Sequence, residues 1–559
     1  MKIQLNDLVE VYTQIRQDSL DKSCSLVIFV GGDVDGICAC KILTSLLHND
    51  GVQYCIIPVA NYTELETQLN DLTDPNTHNI IMLNCGGAAD FTQLIRDKGL
   101  VCYVFDSQRP CLPTNIRSEY VRVVDETYIE EDLAEESDQD IESGGKRRRE
   151  RRDPDKKFTT EPDASGVYFG ASTAGIIYEL SRKLNRGTLD MLWLWIVGLT
   201  DQLLHNKIDR GEYEAKMNFC VNEVVSNPQN IYRNPTNIQD TEDDFEIQSG
   251  QKPLNSISIE YKDLRIMLYR HWSLYESLYY SNYIASKLGI WKEPGKHRLN
   301  EILAQLGIPL QECKQQYRFM KADYKNTLKE KLSLIGSNYE IDDLFLTTCV
   351  RQYSRKRQYC AADVVYSISA LIECPGILEE SEHPETISLQ DKWLGNFWVA
   401  HDALLNDSLL EQGVNLAIEQ QKAIIQQGTA LIDKKAVSPA SEFRYAIINS
   451  DALTQTKFFH HPLALKKLIC FIMEAYQSSR KNIKPKPMVL CIFNSQRNTY
   501  FVCGVISQMQ DKNDFGWRFH EAAETVQADF RRDFFEDTYI EVRKEHFQAF
   551  IEQLIAEEI

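Results

Sequence analysis

The stretch Leu26-Val27-Ile28-Phe29-Val30-Gly31-Gly32-Asp33-Val34-Asp35-Gly36 constrains the fold of this chain more than any other. Five apolar residues ending at a glycine pair read as a buried parallel strand. After Gly36, apolar residues at Ile37, Cys40, Ile42, Leu43, Leu46 and Leu47 suit a helix packed back on that strand. Asp33 and Asp35 then sit at the carboxyl end of a strand, in the crevice where open α/β sheets bind ligands. Two readings of the pair stand side by side. The carboxylates can face the crevice together and offer oxygens to a hard divalent cation. Alternatively, Asp33 caps the helix and Asp35 complements its dipole.

The same alternation continues downstream. Residues 52–59, 79–83 and 100–105 are predicted strands, and residues 63–72 a helix with Thr63 as its cap. The later two strands end at Asn84-Cys85-Gly86-Gly87 and at Asp106-Ser107-Gln108-Arg109-Pro110. Strands and helices at this spacing imply right-handed βαβ units and a parallel sheet, with polar clusters recurring along one edge. Small residues from Phe169 to Gly175 lead into a helix over 176–184. From Thr188 the chain is predicted to form a helix that is apolar on all sides and therefore buried, with Asp201 at its far end. A carboxylate placed there needs a partner.

At 559 residues the chain has room for two to four domains. Residues 125–142 hold ten acidic residues and no basic ones, and Lys146, Arg147, Arg148, Arg149, Arg151 and Arg152 follow. Blocks of like charge repel and stay unfolded, and the basic cluster fits a nuclear import signal or a solvated loop. Residues 226–256 are polar, with a second acidic knot at 240–246. From Ser258 the pattern reads as helical. Leu268, Trp272, Tyr275 and Tyr279 recur as a stripe on one helix face, which is more often core than a base-stacking platform. Arg351, Arg355, Lys356 and Arg357 form the best local candidate for a phosphate, DNA or acidic-partner contact, against the plainer reading of a solvated helix start or loop. Residues 388–431 suit a connecting helix, and a second α/β unit follows, with strands over 443–449, 488–493, 500–507 and 538–542.

The net charge of −20 excludes non-specific coating of a nucleic-acid backbone; any such contact must be local or through a basic partner. Fifteen cysteines, scattered without ligand spacing, favour a reducing compartment and argue against a zinc site. The longest apolar run, 191–199, is too short to span a bilayer, and residues 1–20 do not look like a secretory signal.

Asp33 and Asp35, the turn at Asn84, the Asp106 turn and Asp201 follow the order of motifs in the DHH phosphoesterase superfamily, whose single-strand exonuclease branch is RecJ; the chain resembles it. In that family the turns supply carboxylates and histidines to a two-manganese centre that cleaves phosphodiesters. Asp33, Asp35, Asp106 and Asp201 keep the family's carboxylates. Asn84 stands where the second motif has an Asp, and Ser107 and Gln108 stand where the name-giving histidines do. The glycine-rich substrate motif of the companion domain is replaced by Gly516-Trp517-Arg518-Phe519-His520-Glu521-Ala522-Ala523, where only the Ala pair survives. The resemblance therefore implies a vestigial centre with no metal, no cofactor and no catalysis, the alternative being a metal-dependent single-strand exonuclease of the RecJ type.

A narrower resemblance covers nearly the whole chain. The blocks from Val34 to Leu43, Leu83 to Gly86, Trp195 to Gln202 and Leu268 to Leu274 are similar to the cell division control protein 45 family of eukaryotic replication factors. It implies an α/β fold: a parallel-sheet DHH-type domain with a helical insertion and a smaller C-terminal DHHA1-like α/β domain. The expected divisions are 1–124 and 161–225 for the DHH-like domain and 125–160 for the charged insertion. The helical insertion would cover 226–385, the connecting helix 386–435 and the last domain 436–559. It also implies a nuclear, non-enzymatic subunit of the replicative helicase, needed for initiation and elongation. Its partners would be the minichromosome-maintenance hexamer, the GINS tetramer, replication-fork polymerases and initiation factors, and single-stranded DNA, with no membrane.

Overall fold

A computed structural model describes residues 2–20, 26–125, 166–230, 253–341, 343–373, 389–449, 458–459, 461–479, 485–495, 497–507, 512–532 and 534–556. The acidic stretch at 126–142, the basic cluster Lys146 to Arg152 and the knot at 240–246 lie outside the described residues.

The first sheet has six strands in the order Lys2–Ile3, Val121–Val124, Val101–Phe105, Asn79–Leu83, Leu26–Gly31, Tyr54–Val59. Every neighbouring pair is parallel. From Leu26–Gly31 the chain steps to Tyr54–Val59 on one side and then crosses to Asn79–Leu83 on the other. That reversal opens a crevice at the carboxyl ends of the two diverging strands. Val30 pairs with Leu83 and Leu83 with Phe105, so Gly31, Asn84 and Asp106 leave the sheet at one level.

Strand alternation sorts the core into two faces. Val27 and Phe29 join Tyr62, Leu65 and Ile95 on one face. Leu26, Ile28 and Val30 join the other, beneath the mutually packed helices Val34–Asn49, Thr173–Lys183 and Leu189–Leu204. The last of these is the all-apolar helix, started by the Thr188 hydroxyl accepting from the Met191 amide. Each large apolar side chain it buries contributes about 1.5–3 kcal/mol. A Cβ at Gly198 would stand 2.5 Å from Asp35 Oδ1 and 2.9 Å from Ala174 Cβ, so only glycine admits this approach.

The expected α/β fold holds, while several local expectations are corrected. The helix after the second strand spans Tyr62–Asp71 and is capped by Asn61, whose side chain accepts from the Glu64 amide; Thr63 lies inside it. From Ser258 the chain is a strand, not a helix: Ile257–Leu264 pairs antiparallel with Phe345–Ser354, which pairs with Arg357–Cys360. Ile257, Ile259 and Tyr261 alternate with polar residues at period two, the pattern of a sheet. The Leu268 to Tyr279 stripe is not one helix either, because Leu268 has φ +53° and the helix begins only at Leu274. Leu268 and Trp272 are nevertheless buried core. The stretch from 388 to 431 is two helices, Leu389–Ala403 and Asp407–Asp433; Asn406 caps the second by accepting from the Ser408 and Leu409 amides.

The C-terminal sheet runs Ser438–Pro439, Arg444–Ile448, Met488–Asn494, Thr499–Val505, Tyr539–Arg543, Phe530–Arg531. It is antiparallel except between Arg444–Ile448 and Met488–Asn494. It meets the first sheet's carboxyl edge directly. Tyr62 and Phe535 pack edge to face with centroids 4.9 Å apart, Gln108 Nε2 donates to Asp537 Oδ2 at 3.3 Å, and Val167 and Asn513 exchange backbone hydrogen bonds.

Candidate functional site

The residues singled out at the strand ends do converge, and each is held by a different device. Asp33 precedes the helix Val34–Asn49, and its Oδ1 accepts from the Gly36 amide at 2.8 Å, as an N-cap does. Asp35 turns away from the crevice onto the start of the helix Thr173–Lys183. Its Oδ1 accepts from Ser172 Oγ at 2.6 Å and the Ala174 amide at 3.1 Å, and its Oδ2 from the Thr173 amide at 2.7 Å. A helix N-terminus is a natural seat for a carboxylate. Burial and the neighbouring Asp33 nevertheless push the Asp35 carboxyl up to about 6, against the pull of the Ser172 hydroxyl. The capping reading holds in part: Asp33 is a cap, and Asp35 complements a dipole belonging to another helix.

Asn84 sits with φ +52° at the end of its strand. Its Oδ1 accepts from Thr173 Oγ1 at 2.6 Å and the Ser107 amide at 3.1 Å, which fixes the orientation of the amide. The Nδ2 group therefore faces the carboxylates, donating to both oxygens of Asp33 at 3.1 Å and to Asp35 Oδ2 at 3.3 Å. Asp106 is consumed by its own neighbourhood. Oδ2 accepts from the Gly87 and Gly86 amides at 2.8 and 3.2 Å, and Oδ1 from the Gln108 amide at 3.0 Å.

Asp201 is 1 % exposed, and two partners that the motif reading did not include complete it. His205 Nδ1 lies 2.8 Å from Oδ1, and Lys207 Nζ 3.5 Å from Oδ2. The same Nζ is 3.3 Å from Asp33 Oδ2 and 5.5 Å from the centre of the Phe169 ring. Burial works to raise the Asp201 carboxyl, but His205 and Lys207 outweigh it and hold it at about 2. Burial likewise opposes the charge on Lys207, and Asp201 and Asp33 outweigh that, keeping the ammonium above its ordinary value. His205 was readable as the residue one helical turn beyond Asp201 on the same face. Lys207 lies past the helix end and carries no local signal.

Around these groups lies a cavity of about 150 Å³ whose wall includes Asp33, Asp201, Lys207, Trp393, Glu373 and Phe535. The Trp393 ring, from the helix Leu389–Ala403, lies against Gly32; a Cβ on that glycine would stand 2.6 Å from it. Among the described residues no group of three or more His, Cys, Asp or Glu side chains is arranged to hold a metal ion.

The basic segment is elsewhere and has another character. Arg351 is not a surface group: it is 3 % exposed in the strand Phe345–Ser354 and donates to Asp190 Oδ1 at 2.6 Å and Asn255 Oδ1 at 3.2 Å. Arg357 pairs with Glu411 at 2.7 Å and Asp407 at 3.7 Å. Arg355 and Lys356 are exposed in the turn between the two strands. Of the C-terminal octet, Ala522 and Ala523 are buried core, and Arg518 is paired with Asp514 and Glu442, each at 2.8 Å.

The sequence matches the CDC45 family over residues 26–163 and 140–557. It is 31% identical to the cell division control protein 45 homolog of Schizosaccharomyces pombe, over 99% of both chains. To the Homo sapiens homolog it is 28% identical, covering 96% of this chain and 97% of the relative. The crystal structure of CDC45 from Entamoeba histolytica superposes with a TM-score of 0.71 at 22% identity, covering 100% of this chain and 99% of that one. No described helix is long and apolar enough to cross a membrane.

Proposed function

The chain belongs to the CDC45 family, and from that premise we propose that it is a nuclear DNA-replication factor with no catalysis of its own. It acts as a subunit of the replicative helicase, joining the minichromosome-maintenance hexamer and the GINS tetramer, with replication-fork polymerases and initiation factors as further partners. Single-stranded DNA is contacted locally, and the exposed pair Arg355 and Lys356 is the favoured place for it. Lys146 to Arg152 serve as the nuclear import signal.

The observation that carries the non-catalytic reading is Lys207. Its ammonium stands 3.3 Å from Asp33 and 3.5 Å from Asp201, where a phosphoesterase of this architecture would need a divalent cation between the same carboxylates. Asn84 adds to the misfit by turning N–H donors, which repel a cation, toward Asp33 and Asp35. Asp106 gives three backbone amides the lone pairs that a ligand would offer. A manganese pair does not fit this donor set, and no reaction step is assigned to it.

The test is reconstitution. Purified chain mixed with the ring and GINS is expected to co-elute as one complex, and with manganese it is expected to release no nucleotides from single-stranded DNA. Failure to associate would overturn the helicase role. Manganese-dependent release abolished by Asp35→Ala would restore the exonuclease alternative.

A further inference from the structure

The cavity at the first sheet's edge retains hydrogen-bonding capacity that its own residues do not use. The helix Ala361–Glu373 brings Ser369 and Glu373 to its wall. Ser369 Oγ and Glu373 Oε1 are buried without a hydrogen-bond partner among the described residues, and so is Nε2 of His205, which also lines the cavity. The three residues are 1 %, 6 % and 4 % exposed. Unpaired polar atoms this deeply buried are costly, which sets them apart from ordinary surface groups.

Their chemistry is one-sided. Glu373 Oε2 accepts from Gln420 Nε2 at 2.8 Å, so Oε1 has lone pairs to spare. His205 turns Nδ1 to Asp201; in the neutral ring that nitrogen carries the proton and Nε2 is an acceptor. A serine hydroxyl accepts as readily as it donates. The charge balance points the same way. Asp33 and Asp201 share the single ammonium of Lys207, Glu536 is taken by Lys466 at 2.6 Å, and Glu373 has no ion-pair partner within 4.0 Å among the described residues. His461 also borders the space. Burial keeps its imidazole below the ordinary value, against the pull of Glu373, so it does not supply the missing charge. A phosphate would meet this wall of carboxylates and be repelled. The aromatic rings favour cations: Lys207 and Lys466 already lie 5.5 and 5.8 Å from the Phe169 ring centre.

We infer that this cavity is a binding site for a primary alkylammonium group, with Glu373 as its counter-ion and Ser369 and His205 as its remaining acceptors. An ammonium carries three donors and no acceptor, the complement of what the wall leaves unpaired. Trp393 and Phe535 bound the space for the alkyl part. The site is independent of the helicase partnership proposed above and does not require it. The ammonium comes either from a free amine or from a lysine side chain of another protein.

The probe is n-butylammonium, titrated into the full chain and followed by saturation-transfer NMR and by melting temperature. Saturable binding that raises the melting temperature is expected, with the neutral isostere 1-butanol giving neither. Glu373→Gln, verified as folded by circular dichroism, is expected to bind about tenfold more weakly, the loss of one charge-assisted hydrogen bond. Ser369→Ala is expected to weaken binding by a smaller factor. A second arm uses an acetyl-Gly-Lys-Gly-amide peptide: binding comparable to the free amine identifies a protein side chain as the source, and binding of the amine alone identifies a small molecule. Absence of saturable binding to the wild type would overturn the site. Equal binding by 1-butanol, or unchanged affinity in Glu373→Gln, would overturn it as well.

Discussion

The carboxylate edge of the first sheet and the basic hairpin around Arg351 are opposite in sign and differ more in how their charge is answered. At the edge, one buried ammonium serves two carboxylates, and the three groups come from two distant stretches, the Asp33 turn and the helix end that carries Asp201 and Lys207. In the hairpin, one buried guanidinium meets Asp190, whose side chain is 60% exposed, while Arg355 and Lys356 stay in solvent. The first arrangement spends its charge on holding the fold. The second leaves two cations over for something outside the chain.

That contrast makes measurable claims, the largest at the edge. Lys207→Met leaves the buried Asp201 carboxylate unpaired beside the partly exposed Asp33 and is expected to cost about 3 kcal/mol in denaturant unfolding. Adding Asp33→Asn should recover part of the loss, and equal costs with and without it would remove Lys207 from its place between the two. The next effect is acid sensitivity. Asp201 is held at about 2 in the folded chain, below its unfolded value, so its stabilisation is present above pH 4 and disappears as pH falls through 4 toward 2. The loss should amount to about 2 kcal/mol at 1.36 kcal/mol per pK unit, and Asp201→Asn should flatten that limb. Asp35, held up at about 6, works in the other direction: the folded chain prefers it protonated, and its contribution declines as pH rises from 4 to 6.

On the hairpin the effects are smaller. Arg351→Met frees only a solvated carboxylate and also removes two buried nitrogens that lack a hydrogen-bond partner among the described residues, so a cost of about 1 kcal/mol is expected. A loss as large as that of Lys207→Met would show that the two regions are built alike after all. Arg355→Ala with Lys356→Ala should leave stability within about 0.5 kcal/mol. The same pair should weaken single-stranded DNA binding at low salt; unchanged binding would move the contact elsewhere.

Much of the first sheet was legible because its signals are local. Five apolar residues before Gly31, and polar turns at Asn84 and Asp106, placed three strand ends on one edge, and the crevice between them followed from topology. The all-apolar helix showed that Asp201 needed a partner. What stayed hidden depends on distant pairing. Ile257–Leu264 is a strand because Phe345–Ser354 lies beside it, and short alternating runs compete with helical readings when the partner strand is unseen. Arg351 belongs to a basic run by sequence and to the core by structure, because Asp190 and Asn255 arrive from elsewhere. Lys207 sits just beyond the helix that carries Asp201, in an unremarkable sequence, and only the packing of that helix end against the Asp33 turn brings its amine between the aspartates.

The contacts of Tyr62 with Phe535 and of Gln108 with Asp537 join positions 473 and 429 residues apart. A ribosome adding about 5–20 residues per second needs some tens of seconds to travel that distance. During that interval the amino-terminal sheet exists without the segment that closes its edge, and its aromatic and glycine-rich turns are open to solvent. The last few dozen residues thus act as a timing element. A truncation that removes them would spare Asp33, Asp35, Asp106 and Asp201 and is expected to leave the nascent chain dependent on chaperones, with aggregation during synthesis as the visible defect.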